Sequence, residues 1–385
     1  MRIPYSRQKI TSKDVSAVTK ILKSDFLTQG RTIEIFEKEI CKKVKAKYGV
    51  AANSGTSALH IGCLALGLKS KDYLWTVGNS FVASANCGRY CGANVEFIDI
   101  NPKTFNIDPE ILEKKLKETP KNKIPKILVV VHFTGEPAEM KKIYNLKKKY
   151  KFKIIEDASH ALGAKIKKDP VGSCKYSDLT VFSFHPVKSI TTAEGGVATT
   201  NNKEVFIKMQ LLRNHGITRN INLLKKKNKS YWYYEQQLLG FNYRMNDLEA
   251  ALGVSQLKNL DSFIKERRKI VKNYRELLKD LPLDFQILEK NNQSSHHLFI
   301  LKLHLKKIKY TYDEIFNKLR KNQLGINLHY LPIYSHPYYK RIKNYKKLKN
   351  TEDYYKSAIS IPVFPGLKKQ QQLKVCKIIK KIIQN

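Results

Sequence analysis

Between residues 13 and 215 one pattern repeats: an apolar run of strand length, then a stretch with apolar residues at helical spacing. Strands that reach the next strand through a helix build parallel sheets, since a parallel partner needs a crossover of a dozen or more residues. The strand-like runs are Tyr73 to Val77, Val95 to Ile100, Ile127 to Val131, Ile154 to Glu156, Leu179 to Phe184 and Val197 to Thr200. Pro109 to Glu118 and Ala138 to Tyr150 read as helices between them. Upstream, Thr11 and Asp14 form a capping-box pattern ahead of Val15, Val18 and Leu22. Ile33, Phe36, Ile40 and Val44 share one face of a second helix, expected to stop near Gly49. The expected fold class is α/β, a mainly parallel central sheet flanked by helices.

After residue 250 the texture changes to a long helical stretch from Leu248 to Leu278, then Pro282, shorter alternating segments and a closing Lys-rich helix from Lys368 to Ile383. This reads as a smaller α+β domain, giving an N-terminal arm (1–12), a large domain (13–250) and a small C-terminal domain (251–385). Ile217 to Tyr234, rich in Lys, Asn and aromatics, has no clear period and reads as an excursion over the surface.

Charge narrows the function classes. The 385 residues carry 72 Lys and Arg against 33 Asp and Glu, a formal +39. Only twelve of the basic residues are Arg, the type that bidentate phosphate recognition favours, and the Lys residues are spread from Lys9 to Lys381. Clusters such as Lys147-Lys148-Lys149 and Lys225-Lys226-Lys227 fit solvated faces, so a nucleic-acid-binding protein on this fold is the rival reading, with steep salt dependence as its mark. At 42% hydrophobic residues the bulk is not disordered, and no run reaches the ~18 apolar residues of a membrane span. The start lacks a signal-peptide h-region and the six Cys are irregularly spaced, so a cytoplasmic protein is expected.

Several motifs fail on their own terms. Gly62 to Ser70 lacks the Lys and the preceding strand of a P-loop, and no strand is followed by GxGxxG. Cys87 and Cys91 lack a second ligand pair for a metal, and Asp157, Ser159 and His160 come with no GxSxG elbow.

What survives lies between Asn53 and Gly196. Asn53-Ser54-Gly55-Thr56-Ser57 stands between a strand and a helix beginning near Ser57, where N–H groups and hydroxyls suit a phosphate. Asp157 ends the strand Ile154-Ile155, at the edge where open α/β sheets bind ligands. Thirty-one residues later, past a further strand, Lys188 sits in PVKSITTAEGG. A phosphate cup, a carboxylate for a pyridine nitrogen and a Lys for a Schiff base are together the parts pyridoxal phosphate chemistry needs. The carboxylate keeps the ring nitrogen protonated, and burial beside a cationic ring lowers the Lys pKa so that it acts as nucleophile, base and acid.

Leu27-Thr28-Gln29-Gly30, NSGTSAL (53–59), NSFVASANC (79–87), EDASHALG (156–163), FSFHPVKSITTAEGG (182–196), RNHG (213–216), GFNYRMN (240–246) and His329-Tyr330 complete a set running nearly end to end. On these motifs the chain resembles the DegT-type sugar-nucleotide aminotransferases, fold type I pyridoxal 5'-phosphate enzymes. The resemblance implies Lys188 as the Schiff-base Lys, Asp157 as partner of the pyridine nitrogen, Gly55 and Thr56 in the phosphate cup, and Phe81 stacked on the ring. It puts His160 and Ser183 near the ring oxygen and phosphate, and Asn242 at the phosphate from the other subunit of a homodimer. Sugar-nucleotide contacts would come from Tyr5, from Asp25, Phe26, Leu27 and Thr28, and from Asn327, Leu328, His329 and Tyr330, with Gly55, Ser183 and Asn242 shared. NSFVASANC, Ala193 and HYLPIY (329–334) resemble the branch that passes the amino group of L-glutamate to C4 of a UDP-linked 4-keto-6-deoxy-N-acetylhexosamine in pseudaminic acid synthesis; GDP- and dTDP-linked keto sugars are the neighbouring alternatives. A dehydratase subgroup carries His in place of the Schiff-base Lys, and Lys188 argues against it.

Overall fold

The computed structural model describes residues 2–226 and 230–384, so Lys227 of the second cluster lies outside the described residues. The first helices are α1 (Ser12–Leu22), which carries the anticipated Thr11/Asp14 capping box, and α2 (Arg31–Val44). Helix α2 stops five residues before Gly49, at Lys45 in the left-handed region, and Gly49 instead lies in β1 (Tyr48–Ala52). The glycine serves packing: a Cβ there would come within 2.8 Å of Cys41 Sγ on α2.

From β1 the chain alternates through α3 (Gly55–Ala65), β2 (Tyr73–Val77), α4 (Ala83–Tyr90), β3 (Asn94–Ile98), α5 (Pro109–Glu118), β4 (Ile127–Val131), α6 (Met140–Tyr150) and β5 (Lys153–Asp157). Short β6 (Lys165–Ile166) and β7 (Asp169–Pro170) lead to β8 (Leu179–Ser183), β9 (Gly196–Thr200) and α7 (Lys203–Arg213). Seven of these strands form one sheet in the order β1-β9-β8-β5-β4-β2-β3. Only β9 runs against its neighbours, so β1, β5 and β8 end on the same edge. Strand β4 is buried throughout, as a sheet covered on both faces requires.

The segment after α7 is bracketed by the pair β10 (Ile217–Thr218) and β11 (Glu235–Gln236), with Tyr231 and Trp232 exposed between them. The single long helix expected from Leu248 is two, α8 (Asp247–Leu257) and α9 (Leu260–Leu278). Helix α8 packs on α1 and α2, whereas α9 turns toward a second core, and the break at Lys258-Asn259 lets one chain serve both. That core gathers β12 (Leu283–Phe285), β14 (Phe299–Leu303) and β15 (Ala358–Ile361) with α10 (Tyr312–Lys321) and α13 (Lys369–Gln384), while β13 (Asn292–Gln293) pairs with β6. Two short helices, α11 (Pro337–Ile342) and α12 (Lys349–Tyr355), lie between. The arm belongs to this core: Ile3 is buried in it and pairs with Leu324, which carries Tyr5 over the sheet edge. Among the described residues no helix is long and apolar enough to cross a membrane.

Candidate active site

The shared ends of β1, β5 and β8 open into a cavity of about 500 Å³. Its walls include Tyr5, Gly55, Thr56, Phe81, Asp157, His160, Ser183, Lys188, Asn327, Leu328, His329 and Tyr330, twelve of the residues anticipated from sequence. Asp25, Phe26, Leu27, Thr28 and Asn242 stand outside it. Gln29 and Gly30 instead share a second cavity of about 390 Å³ with Asn214 and Arg244, and Asn214 bridges to Asn242.

One wall is the N-terminus of α3. The helix starts at Gly55, two residues earlier than expected, because Ser54 is the N-cap and accepts from the Ser57 N–H at 3.0 Å. Gly55 and Thr56 are the first residues of the helix, so no preceding turn supplies acceptors for their N–H groups. The backbone there is tightly seated. A Cβ on Gly55 would lie 2.9 Å from Ser183 Cβ, and one on Gly196 would lie 2.6 Å from the Gly55 nitrogen.

Asp157 is buried at the end of β5, and each oxygen accepts. Ser84 Oγ donates to Oδ2 at 2.6 Å; the Ser159 N–H and Oγ donate to Oδ1 at 3.1 and 2.6 Å. Sequence reasoning missed Ser84. It lies within the NSFVASANC run, but only the packing of α4 on the sheet brings it to a residue 73 positions away. Lys188 reaches the cavity from the loop between β8 and β9, where burial lowers its amine to about 8 against the opposing pull of Asp157. Among the described residues its Nζ has no hydrogen-bond or ion-pair partner.

The far wall is aromatic and neutral. Tyr330 OH and His160 Nε2 are 3.2 Å apart, and Tyr330 N–H donates to Asn79 Oδ1 at 3.2 Å. Burial drives His160 well below its ordinary value, with Lys188 and His329 adding to the effect, and holds His329 at about 3. Both imidazoles are therefore neutral at physiological pH, and among the described residues the buried Nδ1 of His160 has no partner. Phe81, 57% exposed, stands at the mouth.

With Asp157 as the expected partner of the pyridine nitrogen, removing the Ser84 donor should be felt at the cofactor. A hydrogen bond to a charged group contributes about 1.5–3 kcal/mol, so Ser84→Ala is expected to weaken cofactor binding about ten- to a hundredfold. A titration of the cofactor-free variant checks this, and an unchanged dissociation constant would mean that Asp157 does not depend on the donor.

The comparisons with known proteins agree with this geometry. Residues 8–380 match the DegT/DnrJ/EryC1/StrS aminotransferase family. The UDP-4-amino-4,6-dideoxy-N-acetyl-beta-L-altrosamine transaminase of Campylobacter jejuni is 39% identical over 98% of this chain and 96% of its own. The spore coat polysaccharide biosynthesis protein SpsC of Bacillus subtilis is 33% identical over 99% and 97%. Among solved structures, Helicobacter pylori PseC, an aminotransferase involved in the biosynthesis of pseudoaminic acid, superposes with a TM-score of 0.90 at 31% identity over the whole of both chains. The motifs, the sheet and these matches concur: the chain belongs to the DegT/DnrJ/EryC1/StrS aminotransferase family.

Proposed function

We propose that this chain transfers the amino group of L-glutamate to C4 of a UDP-linked 4-keto-6-deoxy-N-acetylhexosamine, using pyridoxal 5'-phosphate. The observation that carries the chemistry is the Lys188 amine, lowered to about 8 and without a partner among the described residues, sharing one cavity with the Asp157 carboxylate and the open start of α3. The residues present fit the cofactor: a helix N-terminus for its phosphate, an anion held by three donors for its ring nitrogen, and beside them a His160 Nδ1 with no partner among the described residues. When bound, the cofactor supplies a cationic ring that accepts negative charge from the substrate carbon.

Each role then follows from this chain's own groups. Gly55 and Thr56 hold the phosphate with backbone N–H groups, and Ser183 packs directly beneath Gly55. Asp157 keeps the ring nitrogen cationic, its orientation fixed by Ser84 and Ser159. Lys188 anchors the cofactor and moves the proton at the reacting carbon, which requires its neutral form. Tyr330 and neutral His160 form the polar end of the wall, and Phe81 shields the mouth. Tyr5, whose ring lies 5.5 Å from that of His329, and Asn327 to Tyr330 face the remaining space, where the sugar nucleotide is placed.

The substrate assignment is supported by the 39% identity to the Campylobacter jejuni transaminase and the likeness to PseC. A homodimer gives a role to the residues left outside. Gln29 and Gly30, which follow Asp25 to Thr28, and Arg244 and Met245, which follow Asn242, line the second cavity together, as two pieces of one surface offered to a partner's site would. The test is glutamate-dependent amination of a panel of UDP-, GDP- and dTDP-linked keto sugars, with products read by mass and NMR. UDP-linked 4-keto sugars are expected to be accepted, and amination of dTDP sugars alone would overturn the choice.

The lowered Lys188 amine also makes a pH prediction. A depressed lysine pKa means that the neutral, nucleophilic form gains as pH rises through about 8 rather than above 10. The rate at which cofactor-free protein takes up pyridoxal phosphate should therefore reach half its maximum near pH 8. A rate that climbs only above pH 10 would show an ordinary lysine.

A further inference from the structure

Asp157 is not the only carboxylate buried at the end of β5. Glu156 precedes it, and because side chains alternate along a strand it faces the opposite side of the sheet, 3% exposed. Among the described residues no Lys or Arg pairs with it. Three neutral donors hold it instead: His132 Nε2 at 2.7 Å from Oε2, and Ser177 Oγ and Thr180 Oγ1 at Oε1, the latter at 3.1 Å. The state of the imidazole is set by its other nitrogen. His132 Nδ1 accepts the Ala138 N–H at 3.1 Å, so it carries no proton, and the hydrogen of the ring lies on Nε2 and is donated to Glu156. A buried carboxylate with no cation is a poor way to stabilise a sheet, since an apolar residue would avoid the desolvation cost. What distinguishes Glu156 is where its donors lie.

The donors come from the strands and loops that frame the cavity. Thr180 is opposite Glu156 on β8, and its neighbour Val181 is opposite Asp157 and accepts the Ala158 N–H at 2.8 Å. Further along β8, Ser183 packs beneath Gly55, and the loop that follows carries Lys188. His132 follows β4, and its own N–H donates to the Asp157 carbonyl at 3.1 Å. The bond from Ala138 closes the turn 132–138, which sets the Phe133 ring 6.1 Å from that of His160 and 6.2 Å from that of Tyr330. One carboxylate thus ties β4, β5 and β8 together at the level of Asp157.

We propose that Glu156 is a positioning residue, which through His132, Ser177 and Thr180 fixes the end of β5 so that Asp157 meets the ring nitrogen of the cofactor at hydrogen-bonding distance. This role rests on the proposed cofactor chemistry and adds to it a group that touches neither cofactor nor substrate. The expected size follows from Coulomb's law. At an effective dielectric constant of about 20, drawing a carboxylate back from about 3 to about 4 Å from a cation weakens a binding constant about tenfold.

The test compares two cofactors on cofactor-free protein: pyridoxal 5'-phosphate and its analogue with C–H in place of the ring nitrogen. Glu156→Ala is expected to bind pyridoxal phosphate about tenfold more weakly and the analogue within about twofold of the parent, since only the first has a nitrogen to lose contact with. Glu156→Gln keeps the shape: its oxygen can accept from His132 while its amide hydrogens meet the two hydroxyls, which can turn to accept. It should bind pyridoxal phosphate within about threefold of the parent. Thr180→Val removes one donor and preserves the strand, which covers the case in which the alanine variant does not fold, and it should weaken pyridoxal phosphate alone by about threefold. Equal weakening of both cofactors by Glu156→Ala or Thr180→Val, or no weakening, would show a general prop of the fold and overturn the proposal. A Gln variant as weak as the Ala variant would show that charge acts rather than placement, and would overturn it too. Asp157→Asn separates failure of this role from failure of the reading beneath it. If it also fails to tell the cofactors apart, the assignment of Asp157 to the ring nitrogen falls and the role of Glu156 with it; if it discriminates while the Glu156 and Thr180 variants do not, the role of Glu156 alone falls.

Discussion

Lys188→Ala is expected to lower transamination by at least about 10⁴-fold, the upper end of what a positioned acid–base group contributes, because in the proposed mechanism the same amine also anchors the cofactor. The size follows from its surroundings. At pH 7.5 roughly a quarter of amines with a pKa of about 8 are neutral, against about one in a thousand for an ordinary lysine. Burial has thus turned a surface-type cation into a usable nucleophile, and no other lysine among the described residues lines that cavity. Lys188→Arg separates charge from chemistry: it keeps a cation of similar reach but cannot deprotonate, and it should be as inactive as Ala. The melting temperature should not fall, since the alanine variant removes a desolvated charge with no ion pair to lose. Turnover with glutamate and the near-ultraviolet absorbance of bound cofactor are the measurements, and an alanine variant within tenfold of the parent would remove Lys188 from the chemistry.

Much of the fold was legible because burial on both faces leaves a strong signal. Strands β2 and β4 and helix α5 fall at the residues that hydrophobic runs and caps delimit, and Pro109 with Asp108 ahead of it marks a helix start by its own chemistry. The misjudged boundaries were those set by packing rather than by local preference. Gly49 reads as a helix stop because glycine usually ends helices, yet it is needed where α2 presses on β1. The break between α8 and α9 has no Pro or Gly, and arises because two cores claim the two halves.

The site divides along the same line. Asp157, Lys188 and the start of α3 were visible because each sits at a strand end or in a loop beside it, where alternation and motif spacing can be read. Ser84 was hidden, since nothing local distinguishes it from a helix-face serine; only the packing of α4 on the sheet gives it a carboxylate. Gly78 follows the same logic. A Cβ there would come within 2.6 Å of Tyr334, so the residue answers to a side chain 256 positions away.

Asp157→Asn is expected to cost about 10²–10³-fold in turnover while making Lys188 easier to deprotonate, two effects of opposite sign that together identify the carboxylate's role. An amide of the same shape cannot hold a positive ring nitrogen by charge, so stabilisation of negative charge at the substrate carbon falls. It also places an NH₂ group among donors: Ser84 on one side and Ser159 on the other both direct hydrogens at Asp157, and one of those bonds must be lost or reversed. At the same time the carboxylate is the group that pulls the Lys188 amine upward against burial. Without it the pKa should drop below about 8, and the pH profile of cofactor uptake should move to lower pH. A variant that was merely misfolded would lose turnover and uptake together. One in which Asp157 served only to cap the turn at Ser159 would keep turnover within a few-fold and leave the uptake profile in place. Lower turnover with an uptake curve shifted toward acid is therefore the result that ties the carboxylate both to the ring nitrogen and to the amine, and measuring both on one preparation decides among the three.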